Sequence, residues 1–574
     1  MKYVIQTVLL IIFGLLQISA QELFITIKVD STNSGSGSTG KGTGYAILSN
    51  DMKTLRFRIT VNNLSGNITG AHFHYSPSGG VVHPITFTGN TAIGTWSNIP
   101  DTLVSALLKD NLYLNIHTAK NPGGEIRGNF NLEQFGFPID INGVNAGTSS
   151  AGIGTGYAYF DKSHDTSSVS EIYYRATFAG LSGNITSAHF HELPGGTVAY
   201  PITFVDSTTD GILTGFSDAN LLKFFKSQMY LNIHSNVNPG GEIRGNLSVV
   251  GELGFAGILD GAQAGTSSNG KGTVWVILRP DMSVKYNATY AKLTTPLSGS
   301  HFHTSTNGGV VKPVTFINNN TSGDWTGMSD ANITDLLKGR IYMNIHSSTN
   351  PGGEIRANMF YSTGLFTGML DGTQASTSST AKGTVWIDIG GDSARYHATI
   401  AGLNGTLSGS HFHTTDGGAV IKPVTFVDST TTGYWNMQDR MVDLALGKIY
   451  LNVHSSINAG GEIRGNLKLG SGVTTSVRSV SEQVPTAFIL NQNYPNPFNP
   501  TTTISYQLPN NHYVTLKVYD ILGKEVTTLV SEMKEAGNYN VQLSTNSYKL
   551  SSGIYFYRLT AGNYTATKKL VLMK

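Results

Sequence analysis

The chain is predicted to be all-β: four tandem antiparallel β-sandwich repeats, each with one short helix, followed by a C-terminal immunoglobulin-like β-sandwich. Three observations carry this. The composition, with 26 Tyr, 25 Phe, 67 Gly and 18 Pro in 574 residues, mixes strand formers with turn formers. One block of motifs recurs four times at the spacing of a domain, the signature to be sought before any local assignment. Short apolar runs such as Gly-Thr-Val-Trp-Val-Ile-Leu from Gly272 and Gly-Thr-Val-Trp-Ile-Asp-Ile from Gly383 are bounded by Gly, Asn and Ser clusters, as strands are.

Residues 1–20 have the layout of a secretory signal peptide: a positive start at Lys2, an apolar core from Val8 to Leu16, and small residues at Ser19 and Ala20. No later segment reaches the roughly 20 apolar residues of a spanning helix. The absence of cysteine excludes a disulfide scaffold and a thiolate zinc site. Lys and Arg number 38 against 36 acidic residues and are scattered, so the basic footprint that nucleic acid requires is missing.

The repeat is anchored by His72-Phe73-His74, which recurs from His189, His301 and His411; by subtraction the starts lie 117, 112 and 110 residues apart. Each triplet is followed by Gly-Gly, then Pro-Ile/Val-Thr-Phe (Pro84, Pro201, Pro313, Pro423), then Tyr-x-Asn-x-His. Each copy closes on Gly-Gly-Glu-Ile-Arg-Gly/Ala-Asn. The repeats are placed at 21–133, 134–250, 251–361 and 362–469. One helix per copy is expected between the Phe and Tyr motifs, with Asp101, Asp218, Asp330 or Asp439 as its cap and apolar residues such as Ile333, Leu336 and Leu337 at helical spacing.

Residues 470–488, rich in Gly, Ser and Thr, read as a linker. A different domain is expected over 489–574, entered through Tyr494-Pro495-Asn496-Pro497-Phe498-Asn499-Pro500 and built of strands at Val514–Tyr519, Asn540–Leu543, Ile554–Leu559 and Lys568–Met573.

The Ala/Ser-His-Phe-His strand paired with Tyr-Leu-Asn-Ile-His and Asn-Pro-Gly-Gly-Glu-Ile-Arg-Gly resembles the chordin-type (CHRD) domain over most of residues 22–469. Copies three and four also open with Leu259-Asp260-Gly261 and Leu370-Asp371-Gly372, like that family, whereas copy two has Ile141-Asn142-Gly143. The resemblance implies a secreted binding or structural module. The last domain resembles the type A C-terminal sorting domain of the type IX secretion system, on Asn493–Pro500, Val518–Val526, Ser552–Tyr555 and Lys568–Leu570. It implies handling by that machinery and release or attachment at the outer cell surface.

Strand alternation places both imidazoles of each His-Phe-His on one face and makes Tyr113, Asn115 and His117 co-facial. The candidate metal ligands are therefore His72, His74 and His117; His189, His191 and His234; His301, His303 and His346; and His411, His413 and His454. Three neutral imidazoles suit copper or zinc. The competing reading is a structural network: imidazoles on loop carbonyls, with Asn and a Glu–Arg pair fastening the Gly-Gly turn. Nearest nitrogens within about 3–4 Å of one another, as shared coordination at about 2.0–2.1 Å requires, would favour metal. Only three motif histidines occur per copy, too few for a second metal, and no nucleophile elbow or phosphate loop is present. The expectation is a non-enzymatic, surface-displayed multidomain protein with an unidentified extracellular ligand; the alternative is a copper- or zinc-binding surface protein. Tyr113, Tyr230, Tyr342 and Tyr450, together with Trp96, Trp325 and Trp435, are expected in packing.

Overall fold

Eight alternating segments of the first repeat form one continuous antiparallel sheet in the computed structural model. The structure describes residues 22–573 apart from 77, 162–168, 194, 391–392, 438–439, 471–487, 494–495, 509–511, 535–536, 546–549 and 563. The signal peptide, most of the linker and Asp439 lie outside the described residues.

The strands are β1 (Leu23–Asp30), β2 (Lys41–Leu48), β3 (Thr54–Asn62), β4 (Ile68–Tyr75), β5 (Gly80–Pro84), β6 (Thr91–Ser97), β7 (Leu112–Thr118) and β8 (Ile126–Glu133), with helix α1 (Asp101–Leu108) between β6 and β7. Their order in the sheet is β5-β4-β7-β8-β1-β2-β3-β6, and the other three repeats repeat it with one short additional strand each. One face of the sheet encloses the core. Alternation along β1 and β3 buries Leu23, Ile25, Ile27 and Val29 against Leu55, Phe57, Ile59 and Val61, and α1 closes over them with Val104, Leu107 and Leu108. Repeats two and three add a single helical turn after the first strand, at Gly143–Ala146 and Gly261–Ala264.

The helices stand where the sequence placed them, but their caps differ. Ser217 and Ser329, not Asp218 and Asp330, accept from the backbone N–H of Asn220 and Asn332. Each aspartate instead sits in the first turn, where its charge complements the helix dipole. Pro100 precedes α1 with no side-chain cap.

The four repeats do not form four separate cores. Apolar side chains of repeats one and four make one cluster, and those of repeats two and three another. The remaining seams are sheet on sheet and self-complementary. Between repeats one and two, Thr43 bonds Thr177 at 2.7 Å and Thr60 bonds Thr155 at 2.8 Å, while Arg58 and Arg175 each donate to the other repeat's glycine carbonyl, Gly154 or Gly42. Between repeats three and four, Thr273 pairs Thr399 and Thr289 pairs Thr384, both at 2.7 Å, and the Trp275 and Trp386 indoles donate to Gly368 and Gly257. Between repeats two and three, Lys226 donates to Asp330 and Arg340 to Asp218. Each repeat thus contacts two others and the array closes on itself.

The C-terminal unit is a sandwich of three strands (Ile489–Leu490, Thr501–Leu508, Gly537–Ser544) and four (Glu525–Lys534, His512–Tyr519, Gly553–Ala561, Tyr564–Leu572) around Ile504, Leu516, Val518, Tyr557 and Leu559.

Candidate metal centre

The two histidine strands are neighbours. β4 pairs β7 with Gly70 opposite His117, His72 opposite Asn115 and His74 opposite Tyr113, so residues two apart on each strand present one imidazole cluster on a single face. Phe73 between them is fully buried in the core. The register recurs with His189 opposite Asn232, His301 opposite Asn344 and His411 opposite Asn452.

In every repeat one nitrogen from each of three histidines lies within 4.8 Å of the other two. In repeats two, three and four, Nδ1 of the first histidine stands 3.4, 3.3 and 3.3 Å from Nε2 of the third. Two nitrogens about 2.0–2.1 Å from one ion in tetrahedral geometry are about 3.4 Å apart, so this pair already has the separation of co-ligands.

Backbone carbonyls set the tautomers. The second histidine donates from Nδ1 to a glycine five residues on: His74 to Gly79, His191 to Gly196, His303 to Gly308 and His413 to Gly418, at 2.8 to 3.0 Å. The third donates likewise from Nδ1: His117 to Pro122, His234 to Pro239, His346 to Pro351 and His454 to Ala459, at 2.8 to 2.9 Å. In a neutral ring, donation from Nδ1 leaves the lone pair on Nε2. Nε2 of His74, His191, His303 and His413 is buried without a hydrogen-bond partner, as are Nδ1 of His72 and Nε2 of His117. Such orphaned acceptors are costly, and an outer carbonyl fixing the far nitrogen is what metal-ligating histidines have. Burial, and then the neighbouring His117 and His74, hold His72 below the ordinary imidazole range; the same causes act on His189, His301 and His411. Both causes favour the neutral form of this first ring, the form that ligation requires.

The supporting residues are only partly as expected. Asn115 donates to Gly123 at 3.1 Å and fastens the Gly-Gly turn, and Gly124, at φ 126°, leaves no room for a Cβ against that side chain. The expected Glu–Arg pair does not form. Glu125 is fully buried and accepts from Ser38, Ser65 and Thr118, while the Arg127 guanidinium lies 3.4 Å over the Tyr113 ring. Tyr113 in turn stacks on His74 at 5.1 Å between centroids, so guanidinium, phenol and imidazole are layered, as in the other three repeats. Trp96, Trp325 and Trp435 are buried in packing.

No carboxylate joins the histidines among the described residues, leaving positions beyond three nitrogens to water or an outside ligand. Loop carbonyls were expected as imidazole partners, and the structure assigns them to the residue five positions on in each case. Sequence reading missed Ser187, which faces His234 where the other repeats have Gly70, Gly299 and Gly409.

A sequence model described as "CHRD domain" matches residues 25–130, 137–247, 255–359 and 366–467, and one described as "Secretion system C-terminal sorting domain" matches 492–573. Chordin of Danio rerio is 25% identical over 240 residues, 37% of this chain and 25% of that protein's length. Among solved structures, the N-terminal eight immunoglobulin domains of Down syndrome cell adhesion molecule align with 96% of this chain and 64% of that one at 7% identity, with a TM-score of 0.13. That TM-score is too low to relate the folds.

Proposed function

Because the chain belongs to the CHRD domain family, we propose that it is a non-enzymatic, surface-displayed binding protein whose four CHRD repeats each hold one zinc or copper ion through three histidines. The sorting domain directs export, to the outer cell surface or beyond it, and no helix among the described residues is long and apolar enough to cross a membrane. The observation that carries the metal reading is the buried, donorless Nε2 of the second histidine, repeated in all four copies beside two further nitrogens. A structural network satisfies its buried lone pairs; this one leaves a lone pair bare within 4.8 Å of two other imidazole nitrogens, which a cation would resolve.

Three protein nitrogens with open positions are the arrangement of an exchangeable site. Four such sites on one chain let a ligand bearing several donor groups bind through effective concentration. The test is elemental analysis of full-length protein after dialysis against zinc or copper at neutral pH. About four ions per chain and a lower melting temperature in chelator are expected. Substitution of His191 by Phe should remove one ion. No stoichiometric metal, with melting unchanged by chelator, refutes the metal reading and leaves the binding array alone.

A further inference from the structure

The two seams at which the helices meet are built on one plan but filled differently. Aligned by strand and helix ends, Phe135, Phe225, Leu253 and Leu337 of the seam between repeats two and three correspond to Leu23, Leu108, Gly364 and Ala445 of the seam between repeats one and four. All four residues of the first set are buried, with Phe135 stacked on Phe225 at 5.5 Å. Every change toward the second set removes volume. At that place the structure has a cleft of about 610 Å³, within the ordinary range of ligand pockets.

We infer that this cleft binds an uncharged, largely apolar small molecule with one hydrogen-bonding end, such as a long-chain alcohol. Leu23, Leu108, Phe366, Ile389, Met441 and Leu469 supply the apolar lining. Asn131 and Thr363 offer neutral hydrogen-bonding groups, and Lys109, Asp110 and Glu133 line the same cleft with charges of both signs, so neither sign of charged end finds a matched field to offset the hydration it loses on entering an apolar space. The matching seam shows that the scaffold can close this space with its own side chains. The inference is independent of the metal reading.

The test uses the full chain and the neutral dye Nile red, followed by fluorescence, with dodecanol as competitor. One saturable site that dodecanol empties is expected, with dodecanoate and dodecylamine each at least tenfold weaker. Ala445→Leu and Leu108→Phe install the side chains that the filled seam carries at the matching positions. Each should weaken dye binding at least tenfold while melting as the parent does. Absence of saturable binding to the parent chain overturns the inference, as does unchanged binding in either folded variant. Should both variants fail to fold, a photoreactive diazirine analogue of dodecanol decides: labelling of the peptides holding Leu108 or Met441 supports the site, and labelling elsewhere overturns it.

Discussion

Replacing Glu125 with Gln tests how the long Gly-Gly turn is held beside the histidines. The carboxylate is fully buried. Oε1 accepts from Ser38 Oγ at 2.5 Å and Ser65 N at 2.6 Å, and Oε2 from Ser65 Oγ at 2.7 Å and Thr118 Oγ1 at 2.5 Å. Gln keeps the volume, and its carbonyl can still take the first pair. Its NH₂ faces the second pair, whose hydroxyls must reverse to accept, and all four bonds lose charge assistance. A hydrogen bond to a charged group is worth about 1.5–3 kcal/mol against about 0.5–1.5 for a neutral one, so four bonds lose about 4 kcal/mol, and the uncharged amide recovers about 1–2 kcal/mol of desolvation. The net cost of about 2–3 kcal/mol corresponds to a fall of roughly 30- to 150-fold in hydrogen-exchange protection of the Ser65 amide at pH 7. Acid should erase the difference. Burial pushes this carboxyl up, but the Ser38, Thr118 and Ser65 donors outweigh it and hold it at about 2 against an ordinary 4.5. Its contribution is therefore complete above about pH 4.5 and is lost as the pH falls toward 2. A protection ratio below threefold at pH 7, or a gap constant down to pH 2, would refute the reasoning.

At the seam of repeats three and four, His397 bonds Thr273 at 2.6 Å, and burial, then Arg395, pushes it down to about 3. The unfolded chain takes up this proton from about pH 6.5 downward while the fold resists, so stability erodes between 6.5 and 3. His397→Asn, copying Asn287 of the opposite face, should flatten that slope in urea titrations run across this range. Phe190→Ala removes a fully buried ring packed against Tyr174 and Phe224 and should cost about 3–5 kcal/mol by denaturant unfolding. Gly241→Ala drives a Cβ into the Asn232 side chain at φ 123° and displaces the turn whose Pro239 carbonyl orients His234. It should cost about 1–3 kcal/mol and lower zinc stoichiometry from four to three per chain.

Much of the candidate site was legible because it rests on strand alternation, a local property. His72 and His74 share a face whatever surrounds them, and Phe73 points into the core for the same reason. The helix over Asp330–Leu337 was legible from its apolar spacing, but its cap was misplaced by one residue, since Ser329 and Asp330 are both good capping types and only backbone geometry separates them. Glu125 and Arg127 were expected to pair because they alternate. The fold instead gives the buried carboxylate hydroxyl donors from segments 60 and 87 residues away, which no local pattern reveals.

Residue type, repetition and a period of two were enough for four equivalent all-β modules and for two co-facial imidazoles on the His-Phe-His strand of each. Whether the strand of His72 adjoins that of His117, which nitrogen of each ring is free, and how the modules meet were settled only by pairing between distant segments. The closed array shows why. Thr43 has no partner until Thr177 of another repeat arrives at 2.7 Å, and one helical seam is packed while its counterpart is open because four side chains, far apart in the chain, are smaller there.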